Sequence, residues 1–194
     1  MNFPRIVLAS TSPYRRALLE RLRLPFAVET PNTVETALPG EAAGDAALRL
    51  AQAKARAVAT SFPSALVIGS DQVAELDGKH LGKPGNHENA VAQLMAMRGK
   101  NVLFHTALAL LNTASGAMQT ASVPTAVQFR HYSEREVERY LELERPYDCA
   151  GSAKIEGLGI VLVERVTGED PSALTGLPLV QLAAMLRKEG VAIV

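Results

Sequence analysis

The sequence predicts an α/β protein built on a mixed sheet, and three observations carry that prediction. Ala65-Leu66-Val67-Ile68-Gly69 is apolar on both faces, the pattern of a central strand covered by helices. Helical and strand patterns alternate along the chain. Paired strand segments flank Asp77-Gly78 and the stretch 112–116, which adds hairpins and so antiparallel neighbours. A length of 194 residues suits one domain over 1–194, or one domain of two lobes.

The elements follow in order. Residues 6–9, Ile-Val-Leu-Ala, form a first strand. Ser12 is a good N-cap and Pro13 suits the first helical position, so a helix runs over 13–23 with Tyr14, Leu18 and Leu22 as its apolar stripe. Phe26, Ala27 and Val28 make a short strand, and Pro31, Pro39 and Gly40 make 30–44 a loop. Asp45 caps an alanine-rich helix over 46–60. The central strand continues to Leu76, turns at Asp77-Gly78 and returns through Lys79-His80-Leu81. Gly82-Lys83-Pro84-Gly85 breaks the chain. Asn86 then caps a helix ending near Arg98-Gly99, with glycine at the left-handed position. Residues 102–111 and 118–129 form a long hairpin. Ser133-Glu134-Arg135-Glu136 is a capping box for a helix that buries Val137, Tyr140 and Leu141. A glycine-rich segment, 151–159, leads to a strand over 160–163. Residues 179–188 are the last helix, stopped by Gly190.

Composition narrows the function. Twenty basic and twenty acidic residues cancel, so no global field draws the chain to nucleic acid or a membrane surface. No basic stripe interleaved with aromatics suggests a nucleic-acid platform. Locally, Arg5, Arg15, Arg16, Arg21 and Arg23 face only Glu20 over residues 1–23, an excess that suits a small anion. Cys149 is the only cysteine, which leaves no intramolecular disulfide and fits a reducing, cytoplasmic compartment. The first apolar run is too short for a signal peptide, and no run approaches the ~20 residues of a membrane span. His80, His87, His105 and His131 show no metal-ligand spacing.

Several residues carry chemistry. Ser10-Thr11-Ser12-Pro13-Tyr14-Arg15-Arg16 joins a buried strand to a helix start. A helix start exposes unpaired N–H groups and the positive end of the dipole, and two arginines there oppose that dipole. A polyanion cradled by backbone N–H groups, Ser10, Ser12 and the guanidiniums would explain them; so would a plain surface helix with solvated arginines. Asp71 stands past the carboxyl end of the central strand, where α/β folds place their sites. Lys54 has Leu50 and Val58 as helical neighbours, opposite the polar face of Arg49, Gln52 and Arg56. It therefore points inward and needs an anion, unless it snorkels out along its stem. Lys83 is held on a rigid turn, Glu35 lies in an irregular loop and Glu156 in a glycine-rich entry; each alone suits a solvated charge. No Gly-x-x-x-x-Gly-Lys-Ser/Thr loop is present, and Gly157-Leu158-Gly159 lacks the third glycine of a dinucleotide fingerprint. His131 and Cys149 are expected to be structural.

Together these residues resemble the Maf family of nucleoside triphosphate pyrophosphatases. The matching segments are Ala9-Ser10-Thr11-Ser12-Pro13-Tyr14-Arg15-Arg16, Glu35-Thr36-Ala37-Leu38-Pro39-Gly40-Glu41, Ala53-Lys54-Ala55, Gly69-Ser70-Asp71-Gln72, Gly82-Lys83-Pro84 and Gly176-Leu177-Pro178-Leu179. Each is weak alone; six in order over most of the chain are specific. Asp71-Gln72, Cys149-Ala150-Gly151-Ser152, Glu156-Gly157-Leu158-Gly159 and Asp170-Pro171 resemble the branch acting on 7-methyl-GTP, whereas dTTP- and UTP-specific members typically carry threonine and glutamine at positions 72 and 156. Tyr14, Val34 and Ala153 depart from the usual pattern.

The resemblance implies an elongated, twisted mixed sheet flanked by helices, in two lobes with a central cleft, like inosine triphosphate pyrophosphatase. It implies hydrolysis between the α- and β-phosphates with Mg²⁺ or Mn²⁺, and a homodimer. Asp71 would bind the ion or activate water, Glu35 would assist at the metal, and Ser10, Arg15, Arg16, Lys54 and Lys83 would hold the triphosphate. Gln72 and Glu156 would contact the substrate. Methylation at N7 makes guanine cationic, and a carboxylate at Glu156 accepts from N1 and N2 while favouring that charge. Two rivals stand beside this reading: a pyrophosphatase for dTTP, UTP or other modified nucleotides, and a nucleotide-binding regulator of cell division with little turnover.

Overall fold

A computed structural model describes residues 4–36 and 38–194; Ala37, within the 35–41 motif, lies outside them. Among the described residues, five helices flank a seven-stranded mixed sheet. The strands are β1 (Arg5–Ala9), β2 (Phe26–Glu29), β3 (Ala65–Leu76), β4 (Lys79–Leu81), β5 (Asn101–Asn112), β6 (Met118–Phe129) and β7 (Val163–Gly168). The helices are α1 (Pro13–Glu20), α2 (Ala43–Ala59), α3 (His87–Met97), α4 (Glu134–Glu144) and α5 (Leu179–Lys188). Strand order is β2-β1-β3-β5-β6-β7, with β4 paired to β3. β1 runs parallel to both β2 and β3, and β3–β4 and β6–β7 are antiparallel, which is the mixture the hairpin signals predict.

The chain divides into two compact units. The first comprises the chain to Asp71 together with Thr106–Val123 and Asp170–Val194. Its core joins Ile6 and Leu8 of β1, Leu66 and Ile68 of β3 and Leu108 and Leu110 of β5 with Leu18 and Leu19 of α1 and Leu182, Met185 and Leu186 of α5. Strand residues of the other parity, including Val67 and Gly69, face away from that cluster, and Gly69 meets α2. The second unit comprises Gln72–His105 and Pro124–Glu169. There α3 packs on α4, with Leu94, Met97, Phe129, Tyr132, Tyr140 and Leu141 buried. The Tyr132 hydroxyl donates to the Leu94 carbonyl at 2.6 Å.

Three expected boundaries move. α1 ends at Glu20 rather than residue 23, because Arg23 takes a left-handed φ of 55° that a helix does not continue through. α2 starts at Ala43, with Ala42 as an N-cap that makes no side-chain bond; Asp45 sits inside the first turn, where its charge suits the dipole. Residues 158–162 form a 3₁₀ turn instead of a strand, and the strand follows at Val163–Gly168. That strand is mostly exposed and, among the described residues, pairs only with β6, so no apolar period marks it. The remaining signals hold: Ser12 accepts from the Arg15 N–H, Asn86 from the Asn89 N–H, and Ser133 and Glu136 complete the capping box.

Candidate active site

The site in the first unit is made by a close approach of helix to strand. A Cβ on Gly69 would lie 2.1 Å from the Ala51 carbonyl oxygen and 2.8 Å from the Ala55 nitrogen. Only glycine there, facing alanines on α2, lets the helix settle this low. Lys54 lies between those two contacts and is carried down to β3. Its Nζ donates to Asp71 Oδ1 at 2.6 Å and pairs with Glu35 Oε1 at 2.6 Å. Lys54 and Asp71 are buried, 4% and 8% exposed, whereas the Glu35 side chain is 51% exposed. The inward lysine expected from the helix pattern thus finds two carboxylates, which offset its desolvation.

Glu35 stands in an irregular loop, yet that loop is strapped to α2. Arg49 grips Glu41 with two bonds of 2.6 Å and donates to the Thr36 carbonyl at 3.1 Å. The fork with Glu41 raises the Arg49 pKa, the bond contributing most. The pairing of Arg49 with Glu41 escapes a reading of the sequence because each looks like a surface charge on its own element.

The start of α1 supplies the cationic side. Ser10 is buried, and its Oγ accepts the Ser12 N–H at 3.1 Å. Arg15 is half-buried and its Nε donates to the Gly176 carbonyl at 2.8 Å. Burial lowers the Arg15 pKa, opposed by the charges of Asp71 and Glu35. Arg16 turns outward to an i,i+4 pair with Glu20 at 3.0 Å, with 64% of its side chain exposed. Ser70 Oγ lies 2.7 Å from the Ala107 carbonyl and 2.9 Å from that of Gly176. Ser10, Arg15, Glu35, Lys54 and Asp71 are therefore gathered in one unit, and Gly176, which the sequence marks only as part of the 176–179 segment, anchors Arg15 through its carbonyl.

Gln72, Lys83 and Glu156 belong to the second unit. Lys83 is exposed on the loop between β4 and α3. That loop is tied to the glycine-rich segment: the Gly82 carbonyl accepts from Gln93 Nε2 at 3.0 Å and from the Gly151 N–H at 3.3 Å. The Ser152 hydroxyl donates to Gln93 Oε1 at 2.7 Å. Lys154 pairs with Glu144 at 2.6 Å, and Glu144 also accepts the Leu158 N–H at 2.9 Å, which lowers its pKa. Glu156 is accessible overall, but burial of its carboxyl raises its pKa, with Glu144 and Asp148 adding to the rise. Burial pushes the Cys149 thiol up to about 12, which keeps it protonated and unreactive.

Asp71 and Glu35 offer hard oxygen donors, the kind Mg²⁺ and Mn²⁺ prefer. Among the described residues no three His, Cys, Asp or Glu side chains are grouped to cage an ion. Two carboxylates without a cage fit an ion held jointly by protein and ligand phosphates. No helix among the described residues is long and apolar enough to cross a membrane.

A family model described as Maf-like protein matches residues 5–189. A 7-methyl-GTP pyrophosphatase from Methylobacillus flagellatus is 56% identical over 191 residues, covering 98% of this chain and all of the relative. Proteins of the same name from Thiobacillus denitrificans and Ralstonia nicotianae are 57% and 58% identical over 188 and 184 residues. The first covers 97% of this chain and 94% of the relative, the second 95% of each.

Proposed function

The chain belongs to the Maf family, and from that premise we propose that it hydrolyses 7-methyl-GTP between the α- and β-phosphates, releasing the monophosphate and pyrophosphate. One observation carries this reading: a buried ammonium clamped at 2.6 Å by both Asp71 and Glu35, with the Arg15 guanidinium under the field of the same two carboxylates. Such concentrated charge suits the stabilisation of a polyphosphate, where catalysis is mainly positioning and electrostatics. The relatives' shared name supplies the substrate.

Ser10, Arg15, Arg16, Lys54 and Lys83 hold the triphosphate, with Arg16 leaving Glu20 to do so. Asp71 orients the attacking water and takes its proton, or serves the ion together with Glu35. A divalent ion, Mg²⁺ or Mn²⁺, would be held by Asp71 and Glu35 and would neutralise charge developing on the phosphate oxygens. Lys54 holds the Asp71 and Glu35 carboxylates in place and brings its charge to the phosphates. Gln72 and Glu156 contact the base, and the Glu156 carboxylate favours the cationic ring of 7-methylguanine. We place this housecleaning reaction in the cytoplasm, carried out by a homodimer.

The experiment is pyrophosphate release, with Mg²⁺ or Mn²⁺, from 7-methyl-GTP, GTP, dTTP, UTP and CTP. Release from 7-methyl-GTP well above the rest is expected, and chelation of the ion should abolish it. Rates led by dTTP or UTP would overturn the substrate while keeping the reaction. Nucleotide binding without release would overturn the activity in favour of a regulatory protein.

A further inference from the structure

We infer that the loop from Asp170 to Gly176 is a positioning element for Arg15, gripping one edge of its guanidinium so that the other N–H groups meet a polyphosphate. The inference rests on the triphosphate reading above. Gly176 closes the loop with a φ of +109°, a region that side-chain-bearing residues avoid. Its carbonyl accepts Arg15 Nε at 2.8 Å. Ser70 Oγ approaches the same oxygen at 2.9 Å, but its single proton can serve only one carbonyl, and Ala107 is nearer. Arg15 is thus the steady donor to Gly176. The terminal guanidinium nitrogens make no hydrogen bond among the described residues, while Asp71 and Glu35 act on them through charge. They are the donors left for a ligand, and fixing Nε sets the plane in which they lie.

The loop itself is fastened on two sides. Asp170, 2% exposed, accepts the Ser172 N–H at 2.9 Å and the Ser172 hydroxyl at 2.6 Å on one oxygen, and the Val180 N–H at 2.7 Å on the other. No cation pairs with it among the described residues; the start of α5 supplies the compensating dipole. Ser172 Oγ accepts the Leu179 N–H at 2.8 Å. From β5, Thr106 Oγ1 donates to the Ala173 carbonyl at 2.9 Å, and that carbonyl also accepts the Gly176 N–H at 2.8 Å. The bonds of Asp170 and Thr106 fasten the loop and the start of α5, and the inference carries their effect on phosphate binding through Gly176.

A double-mutant cycle tests this, read by calorimetric binding of inorganic tripolyphosphate with Mg²⁺, together with thermal unfolding and with KM and kcat for 7-methyl-GTP. Asp170→Asn weakens the hold on α5, and Thr106→Val removes the bond to Ala173 at nearly constant shape. Arg15→Lys keeps the charge but loses the Nε that Gly176 grips and the planar fork whose orientation that grip sets. Each loop variant should weaken tripolyphosphate binding about tenfold beside Arg15 and less than twofold beside Arg15→Lys, with KM rising more than kcat falls. Equal losses in both backgrounds would overturn the inference and leave the loop a structural element. If Asp170→Asn does not fold, Thr106→Val carries the cycle alone. A coupled cycle in a protein that releases no pyrophosphate upholds the inference and sinks only the activity. Wild-type protein that binds no tripolyphosphate overturns both.

Discussion

Gly69→Ala should disable the site from beneath without touching a charged residue. The added Cβ would sit 2.1 Å from the Ala51 carbonyl oxygen, and contacts under 3.0 Å are essentially never adopted. α2 must therefore retreat by about 0.9 Å at the least, because the neighbours are backbone atoms that cannot turn aside. Lys54 lies between the two touched residues, so its Nζ leaves the 2.6 Å contacts with Asp71 and Glu35. Overpacking of this kind costs about 1–3 kcal/mol. At this chain length each kcal/mol lowers Tm by roughly 2–4 °C. Displacement of a positioned group by about 1 Å costs on the order of 10²-fold in rate. The assay is pyrophosphate release from 7-methyl-GTP at a temperature well below the variant's own Tm, beside thermal unfolding. Wild-type kcat in a folded variant would refute the claim that the depth of α2 sets the geometry of Lys54.

Other outcomes follow from the same structure. Asp71→Asn should keep the fold and lower kcat by about 10²–10⁴-fold, measured by pyrophosphate release. Glu156→Gln should lower the preference for 7-methyl-GTP over GTP and pyrimidine nucleotides; an unchanged ranking would sink the carboxylate's role. Because the Glu156 pKa is raised in the folded protein, recognition of the cationic base should weaken as pH falls through that raised value, visible as a rise in KM on the acid side that Glu156→Gln removes. Glu136 behaves oppositely. Hydrogen bonds from Ser133, with Arg130 assisting, lower it from 4.5 to about 2. Its contribution to stability is present above 4.5 and lost as pH falls toward 2, and Ser133→Ala should flatten that part of a Tm-versus-pH curve.

Local chemistry made much of this protein legible in its residues. The apolar run at 65–69 marks a central strand, Asp77-Gly78 turns with φ of 51° and 76°, and Ser133 with Glu136 caps α4. Each signal lies within a few residues, so no distant partner is needed to decode it. Even the inward direction of Lys54 follows from helical spacing alone. What faced it did not: the two carboxylates come from a loop and another strand, brought close by the absence of a single Cβ at Gly69. The roles of Arg49, Glu41, Gln93 and Gly176 were hidden for the same reason, although Glu41 and Gly176 stand in matching segments. Each acts through a partner remote in the chain or through a backbone carbonyl, and a carbonyl is common to every residue type. β7 was displaced because an exposed strand is held by hydrogen bonds to β6 rather than by buried side chains. Periodicity and caps are written in neighbours and belong to the sequence; the clamp on Lys54 and the grip on Arg15 depend on which distant backbones meet, and only tertiary packing decides that.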